Sequence, residues 1–98
     1  MEYKISLKAQ SDLINIWEFT FENWSVEQAD RYYELIIDKI NQICQKPDIG
    51  KKYDYVREGY WGANVKSHII FYKIRDQKLI EIIRVLHKRM DLEYRLSE

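Results

Sequence analysis

The ten residues 82–91, IIRVLHKRMD, place Arg84 inside an apolar run and then break into His87, Lys88 and Arg89. Guanidinium and ammonium groups offset charge on phosphate oxygens, and an imidazole with an unperturbed pKa near ~6.5 carries protons at neutral pH. Lys51, Lys52 and Arg57 further up the chain add to the same charge. Such a set of cations and an imidazole could do acid–base chemistry on a charged group or hold an acidic partner. The structural alternative is that His87 finishes a strand by hydrogen bonding, His68 packs or caps where a strand begins, and Arg84 pairs with Glu81 or Asp91. Cys44 is the single cysteine, so an internal disulfide is impossible, and with two histidines it makes too small a set for a structural zinc site. Neither a metal nor an organic cofactor is expected.

The elements that must position these residues are bounded by composition. At 98 residues, with 46% hydrophobic and 14% aromatic side chains, one domain spanning 1–98 with one core is expected. A charged fraction of 33% excludes a membrane-resident chain. No apolar run reaches the ~20 residues of a spanning helix, and MEYKISLKAQ lacks an apolar signal segment, so a cytoplasmic location with no membrane partner is expected. Net charge is zero, yet residues 1–50 hold 5 Lys/Arg against 9 Asp/Glu and residues 51–98 hold 11 against 7, giving −4 and +4. That asymmetry suits a basic face meeting an acidic partner.

YKIS (3–6) reads as an edge strand, with Ser6 placed to cap the next element. Ala9, Leu13, Ile16, Trp17, Thr20 and Trp24 recur at three- and four-residue steps and predict a first helix with one wide apolar stripe over about 7–23. SVEQ (25–28) is a capping box that starts a second helix, with Ala29, Tyr33, Ile36, Ile37, Ile40, Ile43 and Cys44 on its stripe. That helix stops at Lys46-Pro47, because proline disfavours helical geometry in the residue before it. Turn residues and aromatics fill 47–61, and VKSHIIFYKI (65–74) and KLIEIIRVL (78–86) predict strands joined by an RDQ hairpin. In the last strand Leu79, Glu81, Ile83 and Val85 would share one face and Ile80, Ile82, Arg84 and Leu86 the other. Both faces are mostly apolar, as in a strand covered on both sides. The fold class is therefore α+β: an N-terminal strand and an antiparallel helical hairpin packed on one face of a mainly antiparallel β-sheet, in the order β-α-α-β-β-β. The second face is expected to be apolar, rimmed with cations and open to a partner, which predicts an aggregation-prone isolated chain. The alternative is that the tail MDLEYRLSE folds back over it.

SDLINIWEF, QADRYYELI, KPDIGKKYDYVREGY, SHIIFY and RVLHKRMD, in this order and over nearly the whole chain, resemble the ParE toxins of the RelE/ParE type II toxin–antitoxin superfamily. The resemblance implies a small bacterial toxin that inhibits DNA gyrase without turnover and is neutralised by an acidic, ParD-like antitoxin. DNA would be met only indirectly, through the antitoxin or gyrase. The competing function within the superfamily is RelE-like, ribosome-dependent mRNA cleavage, for which His87 and Arg84 would be the catalytic candidates. In the members that resemble this chain most, arginines follow the glycine-aromatic-Trp segment, whereas here Gly62-Ala63-Asn64 offers no cation. No catalytic residue is therefore expected. A non-toxic binding member of the same fold is the third possibility.

The resulting expectations place target binding on Tyr60, Trp61, Arg84, His87, Lys88 and Arg89. Antitoxin binding falls on Leu79, Ile83 and Val85 of the second sheet face. Met90 is expected to pack inward and Asp91 to cap a short helix or pair with a nearby cation.

Overall fold

The computed structural model describes residues 1–76 and 79–97. Strand β1 (Glu2–Ile5) leads into helix α1 (Leu7–Asn23), where the Ser6 hydroxyl accepts from the Ala9 N–H at 3.0 Å as the cap. Ser25 does the same for α2 (Val26–Gln45), accepting from the Gln28 N–H at 3.1 Å. A 3-10 turn over Pro47–Ile49 comes next, then β2 (Lys51–Lys52), β3 (Trp61–Val65), β4 (His68–Ile74), β5 (Leu79–His87) and α3 (Leu92–Ser97). The five strands form one sheet in the order β1-β5-β4-β3-β2, antiparallel except for β1, which runs parallel to β5. The α+β order read from the sequence is the observed one, with one strand more.

The extra strand arises because the stretch before the 65–74 run holds two strands, β2 and β3, while that run itself begins as β4 only at His68. β3 ends at Val65, and the chain reverses at Lys66-Ser67, with Lys66 in the left-handed region (φ 53). Such a tight turn matches the right-handed twist of the strands it joins. Of the predicted RDQ hairpin, Arg75 donates its N–H to Leu79 O at 3.0 Å, while Gln77 and Lys78 lie outside the described residues.

Two cores lie on the two faces of the sheet. On the helical face Ala9, Leu13, Ile36, Ile40 and Ile43 pack against Ile70, Tyr72, Ile80, Ile82 and Val85. On the other, Ile69, Phe71 and Leu86 pack with Tyr53 and Tyr60 from the 53–60 loop and Leu96 from α3. Gly62 lies flat under the Tyr53 ring, where an added Cβ would come within 2.5 Å of its Cε1. The second face is thus covered by the chain itself, which corrects the expectation of an open face: Phe71 is 0% and Leu86 1% exposed.

Strand β5 also departs from simple alternation. Phe71 pairs with Arg84 but Tyr72 with Ile82, so Ile83 is an extra residue in a β-bulge. The bulge moves Val85 to the helical core with Ile80 and Ile82, and sends Leu86 to the other side, where Ile83 already lies. The predicted set Leu79, Ile83 and Val85 is therefore not one face. Trp24 falls off the α1 stripe and Tyr33 off that of α2, at 63% and 41% exposed. Tyr32 packs inward in its place, in step with Ala29, Ile36, Ile40 and Ile43.

Candidate functional site

The bulge and the Lys66-Ser67 turn bring the two histidines together. His68 and His87 are paired residues of β4 and β5, their rings edge to face with centroids 5.2 Å apart. The Tyr32 Oη lies 2.6 Å from His68 Nδ1 and donates to Val65 O at 3.2 Å, so α2 is pinned to the β3–β4 turn through one phenol. Burial, with the neighbouring His87 second, lowers the His68 pKa to about 4 and keeps this imidazole neutral at physiological pH. Burial pushes the Tyr32 phenol up. At His87, Nδ1 accepts from the Arg89 N–H at 3.1 Å, which fixes the ring as the strand ends.

Three hollows meet at His87. An apolar cleft of about 410 Å³ lies between the end of α1 and the start of α2, walled by Phe19, Trp24, Arg31, Tyr32, Leu35 and His68. A second hollow runs under α1 past Asp12, Arg84, Arg89 and Met90. The third is bounded by Lys66, Ser67, Lys88 and Arg89, and a 2.9 Å bond from the Lys88 N–H to Ser67 O holds its two turns side by side.

Arg84 is placed differently from its expected role. It is 9% exposed and bonded to Asp12 through Nε at 2.8 Å and Nη2 at 3.0 Å, while Nη1 donates to Arg95 O at 3.1 Å. Asp12 also accepts the Val85 N–H at 2.9 Å. Together with Ser6, whose hydroxyl donates to Ile83 O at 2.7 Å, it covers the β5 edge where β1 has ended. These bonds of Arg84 run to α1 and α3, where the sequence suggests Glu81 or Asp91, and its guanidinium ties three elements together.

Of the other residues singled out in the sequence, Lys88 and Arg89 are exposed and His87 half-buried at the site. Tyr60 is buried in the second core, and Trp61 is half-buried on the helical face, stacked on Tyr72 at 6.2 Å. Neither is a free surface aromatic. Leu79 lies half-buried at the β1 edge, opposite Glu2, and Val85 is 2% exposed. Met90 faces outward at 38% exposed, a correction, while Asp91 caps α3 by accepting the Tyr94 N–H at 3.2 Å. Cys44 is buried with its thiol pushed up by burial, unlike a nucleophile. Tyr32, Asp12, Arg31, Lys66 and Phe19 do not stand out in the sequence. For Tyr32 the spacing from Ala29 and to Ile36 is a usable signal. For Asp12 none exists, since its partner is 72 positions away.

Comparison with known proteins agrees with this fold. The family model described as "ParE toxin of type II toxin-antitoxin system, parDE" matches residues 3–92. Toxin ParE1 of Mycobacterium tuberculosis is 36% identical over 94 residues, covering 96% of each chain. Toxin ParE1 of Caulobacter vibrioides is 35% identical over 95 residues, covering 97% of each. A solved structure titled "Chromosomal ParDE TA system from P. aeruginosa" superposes with a TM-score of 0.77 at 19% identity, over 89% of this chain and 95% of that one, a likeness of fold. The chain belongs to the ParE toxin family of type II toxin–antitoxin systems.

Proposed function

We propose that this chain inhibits DNA gyrase in the cytoplasm without turnover and is silenced by a ParD-like antitoxin. Family membership supports the inhibitor reading, and the observation that carries its non-enzymatic part is the state of Arg84. The nuclease reading of the sequence relies on that guanidinium being turned toward a scissile phosphate. Here Nε, Nη1 and Nη2 each donate to a protein oxygen, and the side chain is nearly buried. The target-facing groups are then His87, Lys88 and Arg89, which surround the cleft from the outside. With the second sheet face covered by α3, the antitoxin seats instead on the exposed apolar flank of the helical hairpin, at Ile14, Phe21 and Tyr33, 58%, 45% and 41% exposed.

Incubation of the purified protein with gyrase, ATP and relaxed plasmid tests this reading. Lost supercoiling with accumulating linear DNA is the expected result. The cluster of Tyr32, His68 and His87 beside Lys88 and Arg89 favours the nuclease reading. Unimpaired supercoiling by a folded, growth-inhibiting protein, with mRNA cut in translating ribosomes, would establish that reading and reject the inhibitor.

A further inference from the structure

We propose that the hollows meeting at His87 form a binding site for single-stranded nucleic acid, with phosphates on Arg31, Lys66, Lys88 and Arg89 and a base against Trp24 and Phe19. The inference goes beyond the gyrase reading, because it concerns direct contact by this chain alone.

Charge supports it first. The hollows are rimmed by exposed Arg31, Lys66, Lys88 and Arg89, and among the described residues the carboxylate lining them, Asp12, is already engaged by Arg84 and the Val85 N–H. On the opposite flank of the hairpin, a groove is lined by Glu18 and Asp30 without a Lys or Arg. In a chain of zero net charge, that sorting leaves a local positive field at one end. The Lys88–Ser67 backbone bond sets Lys66 beside Lys88 and Arg89, a compact row for successive phosphates.

Aromatic exposure is the second support. Trp24 and Phe19 are 63% and 60% exposed, with ring centroids 6.3 Å apart at 60°, on the wall of the same cleft. Large aromatic faces beside a basic groove bind unstacked bases with little regard to sequence. A duplex keeps its bases stacked and gives such faces nothing to meet.

The third support is the backbone around the site. Its walls are helix flanks, two turns and a strand end. An extended acidic peptide lying there would need partners for its own N–H and C=O groups. A sugar–phosphate strand carries its charge outermost and asks only for cations and stacking surfaces.

Fluorescence anisotropy of a labelled oligodeoxythymidylate of roughly 20 nucleotides, titrated with the intact protein, tests the site. With four cations on phosphate, log K is expected to fall with log salt at a slope of about −3, roughly 50-fold between about 50 and 200 mM NaCl. Lys88→Glu with Arg89→Glu should weaken binding about 10-fold or more and halve that slope. Trp24→Ala should weaken it about 10-fold with the slope unchanged. These side chains are exposed, and far-UV circular dichroism verifies that each variant is folded. Absence of saturable binding at low salt would overturn the proposal. So would wild-type binding by both folded variants, a duplex bound as tightly as the single strand, or equal displacement by an acidic peptide. Gyrase is absent from this assay, so its result and that of the supercoiling test stand apart.

Discussion

Arg84 and Asp12 form a pair that the fold cannot lose one half of. Their side chains are 11% and 12% exposed, and the same carboxylate takes the Val85 N–H. Arg84→Ala leaves a desolvated carboxylate without its counter-charge, and a loss of about 3–5 kcal/mol is expected in urea denaturation. The double variant Asp12→Ala with Arg84→Ala should cost less than the sum of the singles, because no orphaned charge is left. A simple additive result would show that the two side chains act independently. His68 gives a prediction with a definite sign. Its folded pKa of about 4 lies below the ordinary 6.5, so the unfolded chain binds more protons between these values. Its contribution to stability is present in full above about pH 6.5 and is lost progressively toward pH 4. Melting temperature should fall over that window, and His68→Gln should flatten the fall; an unchanged slope would remove His68 as its cause.

At the level of elements, α3 is a short cover for a large apolar surface. Leu96 is 4% exposed in the cluster with Phe71 and Leu86, so Leu96→Ala is expected to cost about 2–3 kcal/mol. A chain ended after Met90 should bind the dye ANS far more strongly than the full chain, since nothing else would cover that part of the sheet. Equal binding would mean that α3 leaves the face open in solution. The junction of the 3-10 turn with the sheet depends on Tyr72, whose hydroxyl donates to Pro47 O at 2.6 Å and accepts the Gly50 N–H at 3.2 Å. Tyr72→Phe strands both backbone groups, and a loss of about 1–3 kcal/mol in thermal or urea unfolding is the expected reading.

Across the whole molecule, the two cores share one sheet, and the Asp12–Arg84–Arg95 chain of bonds ties α1 and α3 to β5. Neither core is therefore expected to melt without the other. Tryptophan fluorescence, which follows Trp17 on α1, Trp24 beyond its end and Trp61 on β3, should unfold in step with far-UV circular dichroism as a single transition. An earlier separate transition would show the second core to be an independent unit. The same whole-molecule view explains the charge halves of the sequence: acidic residues such as Glu18 and Asp30 lie on one flank of the hairpin, while most cations at the His87 end come from the second half of the chain.

The helices and their ends are written locally in the chain, because caps and proline act on neighbouring residues: Ser6, Ser25 and Lys46-Pro47 stand where the structure has them. Coverage of β5 on both sides is legible in the same way, since apolar residues on both faces must leave water. For the second face the sequence left two covers open, a partner or the folded-back tail, and packing decided for the tail; the sorting of residues between faces came from packing alone. One inserted residue at the bulge reverses the alternation beyond it, so Val85 joins the helices although period-2 counting puts it opposite. The cleft was equally illegible, because it depends on contacts between distant positions. Tyr32 meets His68 across 36 residues and Asp12 meets Arg84 across 72, and no local pattern encodes either. The cations of RVLHKRMD were visible from the start, but whether each faces solvent or the interior was set by the assembled fold: Arg84 went in, Lys88 and Arg89 stayed out.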